Sequence, residues 1–181
     1  MTFKEKLIEL NVFSSALKWM DKNGVETIVE FWNKCNQGHW LLWVAARFGL
    51  TPERHKKIVL AVCEIARMVL KYIPEGEDRP LQAIEAAEAW ATGDGTIEDV
   101  RVAAYAAKDV EAADAAAYAA YAAFVAPDAA YAAYAANAAY AAYAAYVAAD
   151  AGRDKILKKF ADIVRKHLSC PEWDGEKNAN S

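Results

Sequence analysis

His39-Trp40-Leu41-Leu42-Trp43-Val44-Ala45-Ala46-Arg47-Phe48 is apolar on nearly every side, and Gly49 follows it directly. A helix without a wet face has to be surrounded by other elements, so this stretch predicts a central helix in a helical bundle. Glycine is the residue that most readily closes such a helix. Thr51-Pro52 then opens the next one, with threonine as N-cap and proline at the first helical position, and its apolar pattern runs on to Ile73-Pro74. Glu64, Arg67 and Lys71, three and four residues apart, form its narrow wet stripe.

The same punctuation extends outward in both directions. Thr2-Phe3-Lys4-Glu5 is a capping box, after which Phe3, Leu7 and Leu10 share a face. A second helix is expected from Ser14 or Ser15 to Asn23-Gly24, and a third carries Val25, Ile28, Val29 and Trp32 into the loop Asn36-Gln37-Gly38. Beyond the loop from Pro74 to Asp78, Arg79-Pro80-Leu81 opens a helix with Ile84, Ala87 and Ala91 on one side and Trp90 near its end. Thr92-Gly93-Asp94-Gly95 breaks it, and Thr96 caps a fresh start with Glu98 and Asp99 in the first turn, where the helix dipole favours acids. Ile156, Phe160, Ile163 and Val164 mark a last amphipathic helix that stops at Cys170-Pro171.

Between these lies a tract of low complexity. Of the 41 alanines among 181 residues, 28 fall between Arg101 and Asp150, many in a Tyr-Ala-Ala repeat that includes Tyr131, Tyr134, Tyr140 and Tyr143. A three-residue repeat falls about 60° short of a helical turn each time, so the tyrosines spiral around the axis instead of forming a single face. One helix from Ile97 to His167 would span about 105 Å, against about 40 Å for a compact chain of this size, so it is expected to break near Pro127 and Gly152. The fold class is therefore all-α: a multi-helix bundle with an Ala/Tyr-rich long-helix core. Residues 1–168 are expected as a single helical domain, with the Ala-rich tract at about 101–151 and a flexible C-terminal tail at 169–181.

Composition removes several function classes. A net charge of −4 lacks the footprint of direct nucleic-acid binding. Ala129 to Ala149 is uncharged, yet it has only Val147 from the strongly membrane-seeking residues, so no membrane span is expected. Cys35, Cys63 and Cys170 are odd in number and form no C-x-x-C, which fits reduced thiols and a cytoplasmic location. The N-terminus lacks a signal-peptide pattern. No zinc-protease, P-loop, nucleophile-elbow or dinucleotide motif occurs, so no enzyme activity and no cofactor are expected. Glu85 and Glu88 share a helical face that suits a divalent ion in spacing but has no matching ligands, and a solvated acidic face is the simpler reading. Trp40, Trp43 and Arg47 share another face, either a cation–π site or a helix–helix seam. Arg79, with Glu85 six residues on, is either a polar anchor at a helix start or a structural cap.

Cys35-Asn36-Gln37-Gly38-His39-Trp40-Leu41-Leu42-Trp43, then Arg79-Pro80-Leu81-Gln82-Ala83-Ile84-Glu85 with Trp90, then the Ala-rich tract, resembles the all-helical immunity proteins of bacterial polymorphic-toxin loci and phage genomes. The resemblance runs roughly from Leu7 to Leu168, with His39 where that pattern has an acidic residue. It implies a non-enzymatic protein that binds and neutralises a cognate toxin or defence effector. An acidic surface with aromatic anchors is physically suited to a basic toxin. Two other classes stay open. One is a phage-type binding protein that sequesters a nucleotide or other small signalling molecule, with tyrosines stacking on bases and Arg47, Arg79 or Arg101 meeting phosphate. The other is a structural helical homo-oligomer packed through alanine surfaces. The candidate binding residues are Trp40, Trp43, Arg47, Arg79, Glu85, Tyr131, Tyr134, Tyr140 and Tyr143.

Overall fold

The computed structural model describes residues 1–68, 70–72, 75–107 and 153–177. Among these residues the chain is all-helical, without a strand: α1 (Phe3–Glu9), α2 (Ser14–Asn23), α3 (Ile28–Lys34), α4 (Gly38–Arg47), α5 (Pro52–Arg67), a 3-10 turn at Leu70–Tyr72, α6 (Arg79–Thr92), α7 (Ile97–Ala107), α8 (Arg153–His167) and α9 (Asp174–Lys177). The expected breaks near Pro127 and Gly152 lie outside the described residues.

Local chemistry sets most of the helix ends. Thr2 with Glu5, and Thr27 with Glu30, each form a complete capping box, so two orphaned backbone N–H groups are satisfied reciprocally at each start. The Thr51 hydroxyl accepts from the Arg54 N–H at the head of α5. Gly93 closes α6 in the left-handed region at φ 96°, where a side chain would be strained. Helix α5 ends at Arg67, six residues before the expected stop, because the Met68 N–H turns to the carbonyl of Ile65 and tightens the chain into the 3-10 turn.

Helix α4 is the hub, as its all-round apolar sequence requires: Gly38 and every residue from Trp40 to Ala46 are buried. Helix α8 packs across both α4 and α5, α6 packs on α5, and α7 packs on α6. At the α4–α8 crossing a Cβ on Gly38 would lie 2.7 Å from the Phe160 carbonyl carbon and 2.8 Å from the Ala161 nitrogen, so only glycine fits. Helices α1 to α3 close one end through an aromatic cluster, with Phe3 5.8 Å from Phe31, Trp19 5.6 Å from Phe31 and Trp19 6.1 Å from Trp40. On α3 the buried set is Ile28, Phe31 and Trp32, which corrects the expected stripe: the i, i+3, i+4 phase turns Val29 outward, half exposed.

The segment after Leu168 also departs from expectation. Residues 169–173 do not stand apart as a tail: Pro171 is buried, and the Trp173 ring lies 5.9 Å from Phe3 and 6.1 Å from Phe48, with α9 following. A tryptophan and a proline offer apolar area that a solvated tail would leave wet, and α1 and α4 provide the surface that covers it.

Polar contacts fix α8 in place. Arg165 donates from Nε (2.9 Å) and Nη2 (2.7 Å) to the Trp32 carbonyl and from Nη2 to the Cys35 carbonyl, so one guanidinium caps the C-terminal end of α3. Arg54 does the same between α4 and the end of α8, donating to the carbonyls of Ala45 (3.2 Å) and Ser169 (3.0 Å). Glu64 on α5 accepts from Lys166 Nζ at 2.7 Å and from His167 Nε2 at 2.7 Å. Partial burial pushes the Glu64 carboxyl up, but the hydrogen bonds from Lys166 and His167 outweigh it and hold the group below the usual carboxylate range. Its folded pKa therefore lies below its unfolded one. The stability it contributes is complete above the ordinary carboxylate value and is lost as pH falls through the folded value. Replacing Glu64 with Gln should cost about 0.5 to 1 kcal/mol at neutral pH and flatten the acid limb of the stability curve below about pH 5. Urea midpoints measured against pH check this, and parallel curves for the two proteins would refute it.

Candidate functional site

The sequence candidates on α4 belong mainly to the core. Trp40 is 7% and Trp43 5% exposed; Trp40 packs edge-on to Trp19, and Trp43 has Phe13 6.4 Å away. Arg47, at the last turn of α4, is exposed with its guanidinium 5.6 Å from the Trp43 ring centroid, so the expected stack exists. Most of the indole area is nevertheless spent on packing.

On α6, Arg79 stands at the start of the helix with Glu77 as a close partner. Arg79 forks onto Glu77, with Nε donating at 2.7 Å to Oε1 and Nη2 to Oε2, and this pair holds the Glu77 carboxyl below its usual range. Glu85 is exposed on the same helix. Glu88, its neighbour on that face, is taken by Arg67, which donates from Nε at 2.9 Å and Nη2 at 2.6 Å and so ties α5 to α6. Among the described residues no group of three His, Cys, Asp or Glu is placed to hold a metal ion. Tyr131, Tyr134, Tyr140 and Tyr143 lie outside the described residues.

Cys35, Cys63 and His55 are buried in the frame. Burial pushes the Cys35 thiol up to about 12 and raises Cys63 as well, which keeps both protonated and unreactive at neutral pH. All three cysteines are thiols. His55 is buried edge-on to Trp90 at 5.3 Å, and His39 lies 6.1 Å from Phe13. A depression of about 550 Å³ lies between the N-terminal turn, the α2–α3 loop and Trp173, rimmed by the Lys4–Asp21 ion pair and Glu26. Phe3 and Met20 at its base are buried.

Helix α7 presents a different surface. Its inward stripe, Val100, Ala104 and Ala107, is buried, whereas Ile97, Val102 and Tyr105 are 41%, 58% and 50% exposed. Glu98, Val102 and Tyr105, at i, i+4 and i+7, share the outward face. Arg101 flanks it, paired with Glu98 (Nε to Oε2, 2.8 Å) and 6.0 Å from the Tyr105 ring centroid. Residues 75–107 carry Glu75, Glu77, Asp78, Glu85, Glu88, Asp94, Glu98 and Asp99 against only Arg79 and Arg101, a net −6. The sequence reading reached the Thr96 cap but did not carry the phase of α7 onward; Val100, Ala104 and Ala107 are the signal that turns Val102 and Tyr105 outward.

Comparison with protein-family models, with curated proteins and with solved structures finds no match for this chain. No helix among the described residues is long and apolar enough to cross a membrane.

The burial of the α4 aromatics separates structure from recognition. Trp43→Ala should lower stability by about 3 to 5 kcal/mol, the usual cost of truncating a buried tryptophan, while Arg47→Ala should change it by less than about 1 kcal/mol. Chemical denaturation of the two variants measures both, and a Trp43→Ala protein as stable as the parent would show that the ring is free for recognition.

Proposed function

We propose that this chain is a non-enzymatic binding protein of the immunity type, which engages and neutralises a protein toxin or defence effector. The observation that carries the reading is the outward face of α7. Isolated apolar residues on a surface are ordinary, but Val102 and Tyr105 lie about one turn apart on the outward face of a helix whose opposite stripe is already packed. Tyrosine is enriched at protein interfaces because it offers a large ring with little entropy to lose and a polar tip.

The titratable groups support the same reading by their engagement. Glu64, Arg67, Glu88, Arg165 and Arg54 each bridge two helices, so their chemistry goes into holding the bundle. The small-molecule alternative draws less support, since two of its phosphate-meeting candidates are engaged, Arg79 with Glu77 and Arg101 with Glu98.

Co-expression with the product of the reading frame adjacent to its gene tests the proposal. Growth should be restored by the wild-type chain, and Val102→Ser with Tyr105→Ser should weaken binding tenfold or more, about 1.4 kcal/mol or above, while moving the urea midpoint little because both side chains are exposed. Full rescue by the double variant would remove α7 from the binding face, and no rescue by the wild type would remove the proposal.

A further inference from the structure

The composition around α7 narrows the partner. Along the chain, charge is segregated: residues 75–107 carry net −6, whereas α8 (153–167) carries six basic residues against Asp154 and Asp162, net +4. The whole-chain value of −4 averages these away. The exposed apolar side chains Ile97, Val102 and Tyr105 fall in the acidic stretch.

We infer that the outward face of α7 docks a cationic protein surface, one with an apolar centre and a rim of lysine and arginine. This rests on the protein-binding reading above and deepens it. Apolar area alone draws partners without discrimination, and the surrounding charge decides which of them approach. Glu85, Asp94, Glu98 and Asp99 are exposed on α6, on the α6–α7 turn and in the first turn of α7, and Glu98 shares the face of Val102 and Tyr105. Of these, Glu98 is paired with Arg101, and Asp99 accepts from the Thr96 hydroxyl at 2.6 Å and backbone N–H at 2.9 Å, which fixes its position while leaving its negative charge in place. A cationic surface is steered toward such a field, and an acidic one or a nucleic-acid phosphate backbone is repelled. The rim supplies rate and selectivity, and the Val102–Tyr105 centre supplies most of the affinity.

The test uses the full chain, isotope-labelled for NMR, and two synthetic amphipathic helical peptides of equal length as probes, one of leucine and lysine and one of leucine and glutamate. The Leu/Lys peptide should shift the amides of Val102 and Tyr105, with affinity falling about tenfold from low salt to about 0.3 M. The Leu/Glu peptide should leave those amides unmoved, and Val102→Ser with Tyr105→Ser should abolish the response to Leu/Lys. Equal binding of both peptides on α7 overturns the cationic assignment and leaves the protein-binding face intact. Binding of neither on α7, or of Leu/Lys only elsewhere, overturns both. Salt-sensitive, concentration-dependent shifts on α7 in the chain alone would make a second copy the occupant, through its basic α8, and overturn the foreign partner.

Discussion

Helices α4 and α8 meet where the backbone of Gly38 lies against Phe160 and Ala161, closer than any side chain at position 38 would permit. Overpacking a tight crossing typically costs about 1 to 3 kcal/mol, and this one offers little room for relief because two of the nearest atoms are backbone. Phe160 and Val164 of α8 share one buried core with Leu41 and Val44 of α4, and three polar anchors join α8 to its neighbours. Arg165 finds the carbonyls at the end of α3, Ser169 meets Arg54 of α5, and Lys166 with His167 finds Glu64. Hydrogen bonds of this kind contribute about 1 kcal/mol each in net terms, more where one partner is charged. Arg165 and Trp32 are 133 residues apart, yet closure entropy grows only logarithmically with length, so a long connection is compatible with a tight seam.

With that seam in place, Trp173 can close over Phe3 and Phe48, and the N-terminal helices share one apolar interior with α4, α5 and α8. The large aromatics near α4 are consumed in this closure. Among the described residues, helix α7 packs on α6 and buries its Val100, Ala104 and Ala107 stripe. Val102 and Tyr105 there remain at the surface within an acidic stretch of the chain. This division, a sealed α4 hub and an α7 face that keeps apolar area in water, underlies the binding function proposed for the chain.

Much of the fold was legible because its signals are local. The Thr2–Glu5 box, the Gly93 stop and the Thr51-Pro52 start each act within one turn, and the all-round apolar character of residues 40 to 46 implied a central helix without knowledge of its neighbours. What was not legible depends on distant partners. Nothing near Trp173 shows that Phe3 and Phe48 will receive it, and nothing near Arg165 shows the carbonyls of α3. Val29 was misplaced by reading four apolar residues as one stripe when the helical phase admits only part of them. Of the site candidates, Trp43 and Arg47 do meet, and Arg79 pairs with Glu77, two residues away. The α7 face was missed because its apolar residues are few and carry meaning only relative to the buried stripe behind them.

Native-state hydrogen exchange tests most directly whether α8 and α4 form one structural unit. If the Gly38 crossing governs the bundle, the slowest amides of α4, such as Leu42 to Ala45, and of α8, such as Phe160 to Val164, exchange only through global unfolding, with the same free energy and the same dependence on denaturant. Helix α7, with Val102 and Tyr105 exposed, opens at lower free energy. Exchange of α8 at a free energy well below that of α4, with α4 still protected, would contradict the account.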